Sequence, residues 1–126
     1  MRPVRAPSMS PALHPLDNPV AIWQYGHIIM DTKTRARYTG RARVIKSLSH
    51  PTRLFIVDTL AAGEKCVRDL TELVGCDMST MSKHLAVLKT AGVVQDEKRG
   101  ACIYYTLRCP CILDFFRCAD KVLASS

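Results

Sequence analysis

Residues 67–92 read VRDLTELVGCDMSTMSKHLAVLKTAG, and this stretch decides the fold. Two helical patterns lie inside it. The first, residues 67–74, turns Leu70, Leu73 and Val74 inward and stops at Gly75, where a glycine suits the left-handed end of a helix. The second, residues 79–91, closes at Gly92. At about 100° per residue, Met81, Leu85 and Leu88 fall within about 40° of one another and form a buried stripe. Ser79, Lys83, Ala86 and Thr90 lie opposite, with Ser82 at the flank. Only Cys76-Asp77-Met78 separates the two patterns, and so tight a junction reads as a helix-turn-helix.

Outward from this unit the period changes. Val93-Val94 and residues 101–107 read as two short strands joined by a polar tip, Asp96-Glu97-Lys98-Arg99-Gly100, a hairpin or wing. Upstream, Ser49 or His50 caps a helix that opens at Pro51, sends Leu54, Phe55, Val57 and Leu60 to the core and ends at Gly63. A basic helix precedes it over about residues 37–48. Downstream, Pro110 opens a last helix that runs to about Leu123. The expected fold is mainly α with a small β-hairpin: a winged helix-turn-helix of five helices and a two-stranded wing, residues 36–126. Residues 1–35 read as a basic, Pro-rich, flexible arm. Its prolines at 3, 7, 11, 15 and 19 forbid a regular helix.

Apolar residues make up 48% of the 126 but aromatics only 6%, so the core must be aliphatic and thin. A core of that kind gains from burial against a second subunit. No apolar run approaches the roughly 20 residues that cross a bilayer. Residues 1–19 have two arginines but no apolar core of a signal peptide. The chain therefore reads as cytoplasmic, without a membrane partner. In that reducing compartment its six cysteines read as free thiols: buried filler, metal ligands or redox sensors.

The net charge of +7 is unevenly spread. Residues 54–126 balance, and all of the excess lies in residues 1–53, densest from Lys33 to Lys46, where six cations stand without an acid. An anionic polymer is the natural partner of such a run. The outer face of the 79–91 helix is small, polar and basic, as a helix in a major groove requires. Lys98 and Arg99 at the wing tip suit backbone or minor-groove contact. A solvated face would account for any one of these features. Together they favour double-stranded DNA.

Three motifs carry a resemblance. SLSHPTR over 47–53, STMSKHLAVLKTAGVV over 79–94, and Arg99-Gly100 through Ile103-Tyr104-Tyr105 resemble the ArsR/SmtB family of winged-helix metalloregulators. The likeness covers about residues 38–123. It implies a homodimer formed through the first and last helices, bound to an inverted-repeat operator and released by a metal ion or metalloid. By position, Ser79, Thr80, Ser82, Lys83 and His84 match the recognition helix. His84 also lies at the edge of the buried stripe, where a hydrogen-bonded structural histidine is the competing reading. On the last helix Ile112, Phe116, Ala119 and Leu123 fall within about 40°, with Phe115 and Val122 alongside, a stripe suited to the dimer contact.

Two effector sites of that family lack ligands here. Its Cys-x-Cys pair at the third helix is Cys66-Val67-Arg68, and the last helix has Asp114 and Asp120 but no histidine for zinc. Cys109, Cys111 and Cys118 remain. A helix beginning at Pro110 would depress the thiol pKa values at its N-terminus. Three thiolates without a hard ligand suit a soft ion, trivalent arsenic or antimony first, with mercury, cadmium or copper(I) as alternatives. No organic cofactor is implied. Seven helical residues rise about 10 Å, yet sulfurs on one ion lie within about 5 Å of each other. Either the first turn unwinds or the partner subunit supplies a sulfur. A repressor of the same fold that senses oxidants or persulfides through paired cysteines, with Cys111 or Cys118 as the candidates, is the alternative. The histidines, His14, His27, His50 and His84, show no pairing with a cysteine nucleophile, so an enzyme is not expected.

Overall fold

The computed structural model describes residues 30–125, and the proline-spaced arm lies outside the described residues. Helix α1 spans Thr32–Leu48. It begins earlier than the pattern predicts because the Asp31 carboxylate accepts the Thr34 N–H at 2.7 Å, capping the first turn. Residues 32–35, expected in the arm, are therefore helical. The chain divides after Ala42 into two units. In the first, Tyr38 lies beneath the guanidinium groups of Arg37 and Arg41, at 5.5 and 5.0 Å from the ring centroid.

The second unit, from Arg43 onward, holds the core. Helix α2 (Pro51–Ala61) starts under a His50 cap whose side chain accepts the Thr52 N–H. It buries Ile56, Val57 and Leu60, whereas Leu54 and Phe55, expected inside, are exposed. The run Leu54-Phe55-Ile56-Val57 is apolar on every side, so periodicity alone does not select its inner face. Helix α3 (Val67–Val74) buries Leu70 and leaves Leu73, also expected inside, exposed. Helix α4 (Met78–Thr90) buries Met81, Leu85 and Leu88 as its stripe predicts.

The junction between α3 and α4 is shorter than it reads. Gly75 takes the left-handed conformation (φ 80°) that ends α3, and the Asp77 carboxylate caps α4 by accepting the Thr80 N–H at 2.6 Å. These hydrogen bonds hold the Asp77 carboxyl below its ordinary pKa.

The sheet has three strands rather than two, ordered β1-β3-β2 and antiparallel throughout. Strand β1 is only Lys65–Cys66, paired with Tyr105 and Tyr104. Strand β2 (Val94–Arg99) and strand β3 (Cys102–Leu107) run in register from Val94 opposite Leu107 to Arg99 opposite Cys102. Lys98 and Arg99 therefore belong to the ladder, not to the tip. The tip is Gly100-Ala101, with Gly100 at φ 62°.

After the sheet, Pro110–Ile112 forms a 3₁₀ turn and the α-helix proper, α5 (Leu113–Ala124), starts three residues later than expected. Ile112 is buried and Phe116 packs on the core, but no residue of α5 is itself buried. Phe115, Val122 and Leu123 are 55%, 69% and 71% exposed. Among the described residues, no helix is long and apolar enough to cross a membrane.

Candidate nucleic-acid interface

The buried stripe of α4 fixes its rotation and turns Ser79, Thr80, Ser82, Lys83, Ala86 and Thr90 outward, all exposed. Ser79, Thr80 and Ser82 stand in the first turns, where a helix entering a major groove leads with hydroxyls and backbone N–H groups. Lys83 follows one turn later without an ion-pair partner among the described residues. Lys89 and Asp96 pair at 3.0 Å and join the end of α4 to the first wing strand, setting where the wing stands beside the helix.

The two wing cations differ. Lys98 is exposed and unpaired among the described residues. Arg99 is bonded to Glu64, lies near Glu97 and stacks 4.0 Å over the Tyr104 ring. Its bond to Glu64 raises its pKa. Arg99 thus braces the wing against the residues before β1.

His84 does not share the outer face. It sits on the inner flank of α4, 3.3 Å through Nδ1 from Arg53 Nη1, with its ring centroid 4.5 Å from that of His50. Arg53 Nε donates to the carbonyl of Ser47 at 2.6 Å. One guanidinium thus links the end of α1, the start of α2 and the middle of α4. Burial first, then the charges of His50 and Arg53, lower the His84 pKa. A neutral ring can accept from Arg53; a protonated one cannot. Sequence reading saw both motifs but not this junction, because 31 residues separate its ends.

The thiols divide into two groups. Cys66 is buried, and Cys76 and Cys102 are half-buried. Cys109, Cys111 and Cys118 are exposed. The Cys111 thiol donates to Cys109 Sγ at 3.7 Å, while Cys118 stands on α5, and among the described residues no three ligating side chains are grouped. The contact with Cys109, then loss of hydration and the Asp114 carboxylate, raise the Cys111 pKa. For Cys111 this direction is opposite to the lowering expected of a thiol at a helix start, and the residue lies in a 3₁₀ turn ahead of α5.

Residues 50–96 match the family described as bacterial regulatory protein, arsR family. The segment runs from the α2 cap into β2. The chain is 36% identical over 93 residues to the biofilm growth-associated repressor of Agrobacterium fabrum, 74% of this chain and 76% of that one. The chain belongs to the ArsR family. The cadmium resistance transcriptional regulatory protein CadC homolog of Staphylococcus aureus is 39% identical over 66 residues, covering 52% of this chain and 55% of that protein. Among solved structures, the homodimeric winged helix-turn-helix DNA-binding domain of a possible ArsR-family regulator from Mycobacterium bovis superposes with a TM-score of 0.66. It is 30% identical and covers 75% of this chain and 87% of that one. As a member of the ArsR family the chain is a DNA-binding transcriptional regulator, not an enzyme.

The junction predicts a pH dependence. Folding lowers the His84 pKa, so as pH falls the unfolded chain takes up the proton first. The stability contributed by neutral His84 is complete above the unfolded value of about 6.5 and is lost as pH drops below it. Urea midpoints should therefore fall from about pH 7.5 to about pH 5.5, a window bracketing that value. His84→Gln, which keeps a neutral acceptor for Arg53, should flatten the profile. An equal slope in both proteins would show that His84 carries no such term.

Proposed function

We propose that this chain is a homodimeric repressor that holds operator DNA with α4 and the wing and releases it when trivalent arsenic or antimony binds thiolates at the start of the last helix. The single observation that carries the inducer reading is the Cys109–Cys111 pair, two exposed sulfurs 3.7 Å apart. Two sulfurs already adjacent need little rearrangement to share a soft ion, which displaces their protons as it binds. Cys118 is the third ligand. It reaches the pair if the 3₁₀ turn rearranges or if the partner subunit supplies it.

The dimer reading rests on α5. Its Phe115, Val122 and Leu123 are exposed, and Phe115 and Leu123 line, with Ile45, Leu48 and Leu54, a mostly apolar groove of about 810 Å³ whose rim carries Asp58, Arg117 and Asp120. Exposed apolar side chains gathered on one face and rimmed by charges mark a protein–protein contact. The M. bovis neighbour is described as homodimeric, which supports the same closure here. Cys118 lies on this same helix, so an ion drawn to it acts where the subunits meet. Moving an operator complex from nearly all bound to nearly all free requires a preference of about 5.5 kcal/mol for the released state. Metal–thiolate bonds are strong enough to supply it.

A second reading keeps the repressor and changes the signal. Because two thiols touch and a third does not, oxidation of the Cys109–Cys111 pair by a peroxide or persulfide is the competing trigger. Operator-binding assays with arsenite, antimonite, cadmium, zinc, persulfide and peroxide added in turn separate the two. Arsenite and antimonite should release the wild type. Cys109→Ser, Cys111→Ser and Cys118→Ser should bind DNA normally and resist release, while Cys66→Ser, Cys76→Ser and Cys102→Ser respond. Release by peroxide but not arsenite would favour the redox reading. Loss of response in Cys66→Ser alone would move the site to α3.

The dimer carries its own expectation. Phe115→Asp places a charge on the exposed face without touching the core, so it should sediment as a folded monomer. Its operator affinity should fall by about 100-fold or more, because linked half-sites lose their avidity. A monomeric wild type at micromolar concentration would contradict this.

A further inference from the structure

Helix α1 divides its last turns between two surfaces. Ile45 and Leu48 line the apolar groove beside α5. Arg43, Lys46 and Ser47, on the far side of the helix, line a second groove of about 420 Å³ whose other wall is the C-terminal half of α4. That wall includes Ala86 and Thr90, two residues of the exposed reading face. The groove and the reading face thus share an edge.

The charges along this edge are one-sided. Arg43, Lys46 and Arg53 line the groove and no carboxylate does. Arg53 is committed to Ser47 and His84. Arg43 and Lys46 are exposed and have no ion-pair partner among the described residues. Three other cations of this unit are paired, Lys89 with Asp96, Arg99 with Glu64 and Arg117 with Asp114, whereas Lys83 and Lys98 are, like Arg43 and Lys46, without an ion pair among the described residues. Two free cations above a small neutral floor complement a run of phosphates better than a protein surface, which would need carboxylates placed to match.

We propose that Arg43 and Lys46 form a phosphate-binding rail that extends the DNA interface from α4 onto the end of α1. The inference rests on the DNA-binding reading above. When α4 enters a major groove, one bordering backbone passes the edge marked by Ala86 and Thr90 and continues along this groove. Arg43 and Lys46 neutralise it without reading sequence, so they position the protein and steepen its dependence on salt. The two surfaces of residues 43–48 then put DNA contact and subunit contact on the same last turns of α1.

Salt titrations of the full chain test this, with a duplex selected from a random pool and a duplex of unrelated sequence. For the Arg43→Gln/Lys46→Gln double variant, the slope of log affinity against log salt should be shallower by about 1 to 2. Near 0.1 M salt the affinity should drop by roughly 10- to 100-fold on both duplexes, which is what that slope implies for one or two lost phosphate contacts. The charge-preserving Arg43→Lys/Lys46→Arg variant should keep the wild-type slope. Circular dichroism and sedimentation like those of the wild type confirm that the double variant folds and assembles. An unchanged slope in a double variant whose wild type binds DNA would overturn the rail alone. An unchanged slope with altered sedimentation would assign the groove to a protein contact and also overturn it. A wild type that binds no duplex would instead remove the DNA reading beneath it.

Discussion

Met81, Leu85 and Leu88 enter the same core as Ile56, Val57 and Leu70, and that one-sided burial of α4 is the constraint on which everything else depends. Each such side chain gains about 1.5–3 kcal/mol on leaving water, whereas an exposed polar contact contributes well under 1 kcal/mol. The core therefore decides the rotation of α4, and the outward face follows. Ser79, Ser82, Lys83, Ala86 and Thr90 are outside because their helical neighbours are fully committed inside. The Asp77 cap and the Arg53–His84 contact then fix where the helix starts and how it leans.

The last helix obeys the opposite rule. Ile112 and Phe116 attach its start to the core, but the rest of its apolar surface faces outward. That outward surface carries Phe115, Val122 and Leu123, on the same helix as Cys118. The 3₁₀ turn joins sheet to helix through residues whose packing is light apart from Ile112. The inducer site proposed at Cys109 and Cys111 would place its bonds on that joint. Under the proposed function, a thiol ligand there would act on how α5 meets a partner.

Much of this was legible in the sequence, and the misses have physical causes. The helix-turn-helix could be read because α3 and α4 are amphipathic and end at glycines required by their backbone conformation. The face of α2 could not, because Leu54 through Val57 is apolar all round. Strand β2 was read as ending at Val94 because Gln95–Arg99 is polar, yet pairing with β3 carries the ladder to Arg99. Strand β1 has two residues, too few for any pattern. Cys109, Cys111 and Cys118 were found as candidates, but their spacing in sequence did not reveal that only the first two touch. Arg99 looked free at a tip; its partner Glu64 lies far away in the chain.

In the proposed function α4, held by its buried stripe, presents the DNA-reading surface, with the wing beside it. Amide ¹H–¹⁵N spectra of the labelled full chain, titrated with a selected operator duplex, test this residue by residue. The largest shifts should fall on the amides of Ser79, Thr80, Ser82 and Lys83 and on Lys98, with Leu70 and Ile56 almost unmoved. Shifts concentrated on β1 or on the exposed side of α3, with α4 silent, would contradict the account.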